Sequence, residues 1–320
     1  MRARIAFLLV LLALVPGCTD DPAGPAPPEQ ARPAYDLLVQ RNSNGGAADL
    51  VMVDPATGAE SPYPLILPTG AFHMTPSPDG QRLVFLAQRD APTGSGLHLW
   101  TVRRDGSGLL DLFDGLDADV HGMSWSPSGD RLVYAAADDH ARFDIWVMNA
   151  DGSDRVALTR DPLPDVWTDV FPSWSPDGGR ITFTSNRNGF HQVWVMDADG
   201  GNARAIGGQL PGIFGRWDSA GTRLAFVTLT DDNRSAIAVA RVDGSGLDVF
   251  PQDFGVTGPV WTPDGRVLFI GNPTGSNSEV MALDPSTGAT VNLSRSAANE
   301  AAVSILPRIT EPALVASNRE

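Results

Sequence analysis

Five histidines, His73, His98, His121, His140 and His191, are the first residues here that could carry metal or proton chemistry. Neutral imidazole is a common ligand for divalent metals and the side chain that exchanges protons near neutrality. Two of the five stand out by spacing. His73 lies three residues before Pro76 and His121 four residues before Trp125, at nearly matching points of two consecutive sequence repeats. Trp167 and Asp169 approach the same point of the next repeat, and Arg216 comes from the one after. Two imidazoles and a carboxylate could hold one divalent ion, so His73, His121 and Asp169 are a candidate metal set. Together with Trp167 and Arg216 they are a candidate ligand-binding rim. The plainer alternative is that all five are polar rim residues satisfied by water or backbone.

Other chemistries find little footing. All 23 basic side chains are Arg, which removes Schiff-base chemistry and the phosphate-gripping lysine of a P-loop. A Gly-x-Ser-x-Gly nucleophile elbow is missing. The segments Asn149–Asp154 and Asp197–Asn202 read like halves of a calcium loop, but both lack the twelfth-position Glu and both lie on a recurring turn. Asp138-Asp139-His140 and Asp231-Asp232-Asn233 suit a solvated outer face. With 38 acidic residues and a net charge of −15, the chain is not built to neutralise nucleic-acid phosphates. No catalytic set is assembled, and no cofactor is expected beyond the one candidate ion.

What must position these residues is a repeat. Ser77-Pro78-Asp79-Gly80, Ser126-Pro127-Ser128-Gly129, Ser175-Pro176-Asp177-Gly178, Asp218-Ser219-Ala220-Gly221 and Thr262-Pro263-Asp264-Gly265 recur at steps of 49, 49, 43 and 44 residues. Trp125, Trp174, Trp217 and Trp261 precede or open four of these turns, and Pro76 precedes the first. A short β-rich run follows each turn, such as Leu83-Val84-Phe85 or Ile181-Thr182-Phe183. Proline presets the first corner and glycine accepts the positive φ of the return. A second, out-of-phase turn recurs at Asp54–Gly58, Asp105-Gly106, Asp151-Gly152, Asp199-Gly200, Asp243-Gly244 and Asp284–Gly288. Each ends an alternating run such as Ile145-Trp146-Val147-Met148, which is a strand pattern.

Four short strands per unit of 40 to 50 residues is the dimension of a propeller blade, and six Asp-Gly-type turns make six blades. The expected fold is therefore all-β: a six-bladed propeller of four-stranded antiparallel blades. The domain opens near Tyr35–Val39 on a second strand without its first, and Ala301–Leu306 could supply the missing one. Pairing the two would close the ring with both termini. Ala313–Ser317 also reads as a second strand, so there are seven candidates for six places. The Trp series, fixed in repeat position, is expected to pack between blades.

The first seventeen residues read as an export signal, with Arg2 and Arg4 ahead of the apolar run Ile5–Val15. Eleven apolar residues fall short of the roughly 20 that a spanning helix needs. Leu14-Val15-Pro16-Gly17-Cys18 resembles a bacterial lipobox, in which Cys18 would be lipid-modified and become the new N-terminus; the alternative is an ordinary secretory signal with an incidental cysteine. Residues 18–34 then form the anchored Cys and a Pro-rich tether, reaching on the order of 45 Å. In lipobox proteins an Asp directly after the cysteine implies inner-membrane retention; Thr19 stands there instead, so the outer membrane is expected.

The unit WSPDGGRITFTSNRNGFHQVWVMDADG resembles the TolB-type propeller repeat, and the likeness extends over residues 35–320. TolB itself carries an α/β domain before its propeller, for which the short tether leaves no room. The repeat, the lipobox-like cysteine and the lack of a catalytic set lead to the expectation of a non-enzymatic envelope lipoprotein, monomeric, whose propeller binds a protein or polysaccharide and which meets the membrane through its lipid anchor only; the acidic composition excludes nucleic acid. Metal-dependent pectate-fragment lyases have similar propellers, which keeps open a metal-assisted lyase or hydrolase acting on acidic saccharide at the His73/His121 rim.

Overall fold

If each repeat is an antiparallel meander, both recurring turns must lie at the same end of a blade, and they do. The computed structural model describes residues 35–42, 49–65, 67, 70–88, 97–113, 119–137, 142–160, 167–275, 277–294 and 299–308. Cys18, the signal and tether segments, Asp138-Asp139-His140 and residues 313–317 lie outside them.

The described residues form twenty-four strands in six four-stranded antiparallel sheets. Blade 1 holds β1 (Tyr35–Asn42), β2 (Asp49–Val53) and β3 (Glu60–Pro62). Blade 2 runs through β4 (Phe72–Pro76), β5 (Arg82–Gln88), β6 (Leu97–Arg103) and β7 (Leu110–Asp111). Blade 3 has β8 (Val120–Trp125), β9 (Arg131–Ala137), β10 (Phe143–Asn149) and β11 (Val156–Ala157). Blade 4 has β12 (Asp169–Trp174), β13 (Arg180–Ser185), β14 (Gln192–Asp197) and β15 (Arg204–Ala205). Blade 5 has β16 (Ile213–Trp217), β17 (Arg223–Leu229), β18 (Ser235–Arg241) and β19 (Leu247–Pro251). Blade 6 has β20 (Val256–Trp261), β21 (Val267–Gly271), β22 (Glu279–Asp284) and β23 (Ala289–Asn292). The last strand, β24 (Asn299–Pro307), completes blade 1 as its innermost member.

Turn chemistry explains the local geometry. Gly80, Gly129, Gly178, Gly221 and Gly265 carry φ between +66° and +88°, where a Cβ would be strained. In the second turn, Asp105, Asp151, Asp243 and Asp284 each accept bonds from the backbone N–H and the hydroxyl of the serine two residues on. This is the Asx-turn pattern, and it accounts for the calcium-like look of Asn149–Asp154.

Packing is organised seam by seam. Six apolar clusters are present, and each joins residues of two neighbouring blades. Between blades 3 and 4, for example, Val133, Ile145 and Val147 meet Trp174, Ile181 and Phe183. The aromatic residue of the second strand, Phe85, Tyr134, Phe183, Phe226 or Phe269, is fully buried in five blades. The tryptophans are inter-blade residues, as expected. Trp125 donates its indole N–H to the Thr75 carbonyl of the preceding blade, Trp217 to Ser173 and Trp261 to Arg216, each at 3.1 Å. The Trp174 indole nitrogen, buried like the others, has no partner. An arginine of the preceding blade lies over each ring: Arg82 over Trp125 at 4.7 Å, Arg131 over Trp174 at 5.7 Å, Arg180 over Trp217 at 4.9 Å and Arg223 over Trp261 at 4.6 Å.

Closure uses both termini. β1 pairs with β24 from Tyr35↔Pro307 to Asn42↔Asn299. Arg41 bonds Glu60 at 2.6 Å and the buried Glu300 at 3.1 Å, tying β3, β1 and β24 together. Arg308, just past β24, pairs with Asp36 and, at 3.3 Å, with Asp54. The place of the closing second strand is thus taken by Tyr35–Asn42.

Two outcomes follow from these contacts. The serine hydroxyls hold Asp79, Asp105, Asp151, Asp177, Asp243 and Asp284 below the usual carboxylate range. As pH falls, the unfolded chain therefore takes up protons first, so their contribution is complete above a pKa of about 3.9 and is lost as pH drops through the lowered folded values. Burial raises Asp169 and Glu300, which act in the opposite sense, but they are fewer. The urea midpoint, read by tryptophan fluorescence, should fall between about pH 5 and about pH 3; a rise on acidification would contradict the assignment. Second, Trp217→Ala should cost about 3–5 kcal/mol. Trp217→Phe should cost about 1 kcal/mol more than Trp174→Phe, because only Trp217 loses an indole hydrogen bond. Equal losses would show that the bond to Ser173 adds no stability.

Candidate functional site

The six innermost strands crowd one axis; five of them bulge at a matching place, and β24 shifts register opposite Gln40 and Arg41. Register shifts fall within β4, β8, β12, β16 and β20 where they pair with the second strands. Each bulge carries one residue at positive φ: His73 (52°), Gly122 (82°), Phe171 (55°), Phe214 (61°) and Gly258 (61°). All five lie three residues before the tryptophan position, Pro76 in the case of His73. Two of the positions are glycine, and for Gly122 the reason is contact: a Cβ there would lie 2.9 Å from the Phe171 Cα. The three non-glycine residues hold a conformation that costs on the order of 1–3 kcal/mol apiece and persists only where surrounding structure enforces it.

These strands enclose a cavity of about 300 Å³, lined by residues of all six blades. Its polar face includes His73, Arg216, Ser124, Ser173 and Ser304, and its apolar face includes Phe171 and Phe214, whose rings are 4.3 Å apart. Arg216 donates to the carbonyl of its neighbour Gly215 at 3.0 Å and pairs with no carboxylate among the described residues. Crowding of the guanidinium by protein lowers its pKa to about 10, so it remains a cation at neutral pH, half-buried and without a counter-charge among the described residues. His73 opens onto the cavity; crowding by protein, and then the charges of Arg216 and His121, push its pKa down. On the far side of Arg216 a second space of about 250 Å³ is lined by Trp125, Trp174, Trp217, Trp261, Pro127 and Pro176. Arg216 borders both.

The other rim candidates do not join this cavity. His121 precedes the bulge residue Gly122 by one position, and its ring lies against Phe143 of β10 at 4.4 Å, with Nε2 3.7 Å from Asp119. Asp169 is buried and bonds Arg187 at 2.7 Å. Trp167 lies under the same guanidinium at 5.4 Å, which Phe183 and Trp194 also face, at 5.2 and 4.7 Å. Trp167 and Asp169 therefore belong to an aromatic box around Arg187. His73, His121 and Asp169 do not fit a metal ion, since the one carboxylate is committed to a cation. Among the described residues no group of three His, Cys, Asp or Glu is placed to hold one. Sequence reasoning missed the Phe171/Phe214 pair, the Arg187 hub and the inter-blade arginines. The last had a visible signal: Arg82, Arg131, Arg180, Arg223 and Arg266 each close the turn segment at the start of a second strand.

Comparison with known proteins agrees with this architecture. The Tol-Pal system protein TolB of Anaeromyxobacter dehalogenans is 30% identical over 179 residues, 52% of this chain and 40% of that protein. An uncharacterized protein of Agrobacterium fabrum is 29% identical over 156 residues, 44% of this chain and 50% of its own length. The matches thus span half or less of these curated relatives. The crystal structure of TolB from Acinetobacter baumannii superposes with a TM-score of 0.69 at 15% identity, covering 86% of this chain and 66% of that one, a likeness of fold. The family model described as the TolB beta propeller domain matches residues 71–305, most of the sequence, and the chain belongs to that family.

Proposed function

We propose that this protein is an exported, lipid-anchored binding protein of the cell envelope, whose central channel receives an anionic segment of a protein or polysaccharide partner. Arg216 carries the reading. A half-buried guanidinium with no carboxylate partner among the described residues is open to one, and a carboxylate arriving from outside would supply the missing charge with directional bonds. His73 stands beside it, the Phe171/Phe214 pair offers an apolar wall, and the serine and threonine hydroxyls around the channel offer donors and acceptors. In a molecule of net charge −15, a cationic side chain in the channel is a place for an acidic group to dock.

The envelope setting rests on the export signal, on Cys18 and on kinship with proteins named for the Tol-Pal system. Thr19 after the cysteine favours the outer membrane. One copy of the chain is sufficient for this role, and no cofactor is invoked. The metal-assisted lyase or hydrolase is not carried further, because its ligand set is dispersed between the channel, Phe143 and Arg187.

Two experiments test the reading. With a photoreactive amino acid at Phe214, irradiation of intact cells should yield a discrete adduct, absent when the probe is at Val291 on the outer edge. The adduct should fall at least tenfold on adding Arg216→Gln, as expected for loss of about 1.4 kcal/mol or more from a charge-assisted contact. No adduct, or one indifferent to Arg216, would reject the channel as the site. Separately, Cys18→Ala should move the protein out of the membrane fraction; continued sedimentation with membranes would refute the lipid anchor.

A further inference from the structure

On the turn face of blade 2, away from the channel, three arginines line one cleft. Arg82 opens β5, Arg103 closes β6 and Arg104 follows it; with Gln81 and Asp105 they line a cleft of about 440 Å³. Arg82 and Arg103 are directly opposed across the strand pair. Like charges in that relation repel. The other blades avoid or neutralise the conflict at the equivalent place. Blade 4 sets Asp197 opposite Arg180, and blade 3 sets Asn149 opposite Arg131. Blade 5 repeats the pair as Arg223 and Arg241, but there Asp218 bonds Arg223 at 2.9 Å. In blade 2 none of the three guanidiniums bonds a carboxylate among the described residues.

The donors they do use leave capacity free. Arg82 gives one N–H to the Gly129 carbonyl at 2.6 Å while lying over Trp125. Arg103 has only a marginal 3.5 Å contact with Ser107. Arg104 lies over Tyr63 at 5.8 Å, and its Nη1 is buried with no hydrogen-bond partner. The carboxylate of Asp105 is occupied by Ser107, and that of Asp79 by Ser77 and the backbone of Gln81. The lining groups carry three positive charges and one negative, and Asp79, outside the lining, lies within electrostatic reach of Arg82.

We infer that this cleft is a binding site for a phosphoryl dianion. A tetrahedral oxyanion with several acceptors can take forked guanidinium donors from more than one side, which a single carboxylate cannot do as fully. Its two charges match the net charge of the lining, and binding removes the Arg82–Arg103 repulsion. The phosphoryl group is either free phosphate or the headgroup of a phospholipid.

The test uses the full chain with Cys18→Ser, so that no acyl chain confuses the vesicle arm. Inorganic phosphate, titrated calorimetrically at low ionic strength, should bind with one-to-one stoichiometry and more tightly than acetate. Arg103→Glu should weaken binding at least tenfold while leaving the phosphate-free unfolding midpoint unchanged or higher, since it recreates the Arg180–Asp197 pairing of blade 4. Arg103→Gln should fall between the two. Phosphate binding without co-sedimentation on phosphatidic acid vesicles assigns the free anion. Co-sedimentation on those vesicles, absent with phosphatidylcholine alone and lost in Arg103→Glu, assigns the headgroup. No phosphate binding, equal binding of acetate, or equal binding by the Arg103→Glu protein would overturn the site.

Discussion

A four-stranded blade exposes two apolar faces and cannot hide either of them alone. Every other property of this chain descends from that constraint. The six apolar clusters are the six seams at which neighbouring blades cover one another, and the seam between blades 6 and 1 exists only because β24 and β1 meet. The closing pair is accordingly fastened twice, by Arg41 between Glu60 and Glu300 and by Arg308 between Asp36 and Asp54. Exposed ion pairs contribute little by themselves. Here their value is positional: they fix the register of the strands on which the last seam depends.

Closing the ring also creates the channel. Six innermost strands meet around one axis, and there is less room there than at the rim. The bulges answer that crowding by inserting an extra residue at positive φ three places before the tryptophan, so that the strand bends as it nears the axis. The bulge residues face the cavity in consequence, and in blades 2, 4 and 5 they are His73, Phe171 and Phe214 rather than glycine. Backbone strain at such residues is sustained by the blade packing around them. The side chains it presents to the channel are the part of the molecule that the fold itself does not require.

Much of this was legible in the sequence, because turns and period-two alternation are local. The Pro-Asp-Gly and Asp-Gly turns located the blades, and Trp125, Trp217 and Trp261 kept their inter-blade role. The candidate site was legible only in part. His73 and His121 differ by one place relative to the repeat, and in a strand one place decides which side a residue serves. The bulge gave the channel to His73, and Gly122 took the equivalent position in the next blade, leaving His121 to Phe143. Asp169 could not be assigned either, since its partner Arg187 lies across the β12–β13 pair and no spacing rule joins them. The opposition of Arg82 and Arg103 likewise emerges only when register is known.

The use of arginine as the only basic side chain ties these observations together. A guanidinium stays charged when half-buried, stacks on an aromatic ring and still bonds in its own plane, which an ammonium cannot do as well. The seams exploit all three properties: Arg82 and Arg180 lie over a tryptophan of the next blade while donating to the Gly129 or Gly221 carbonyl beside it. Arginine is thus a structural residue here first, placed by the repeat and commonly paired, as Arg180, Arg223 and Arg266 are with Asp177, Asp218 and Asp264. Others, such as Arg131, Arg155 and Arg204, have no ion pair among the described residues and lie over a ring or donate to a carbonyl instead. Arg216 inside the channel, and Arg82, Arg103 and Arg104 on the turn face of blade 2, likewise bond no carboxylate among the described residues. In a chain with 38 acidic residues the missing partners do not reflect a shortage of carboxylates. On the readings proposed above, Arg216 and the blade 2 cleft are where the negative charge would come from another molecule.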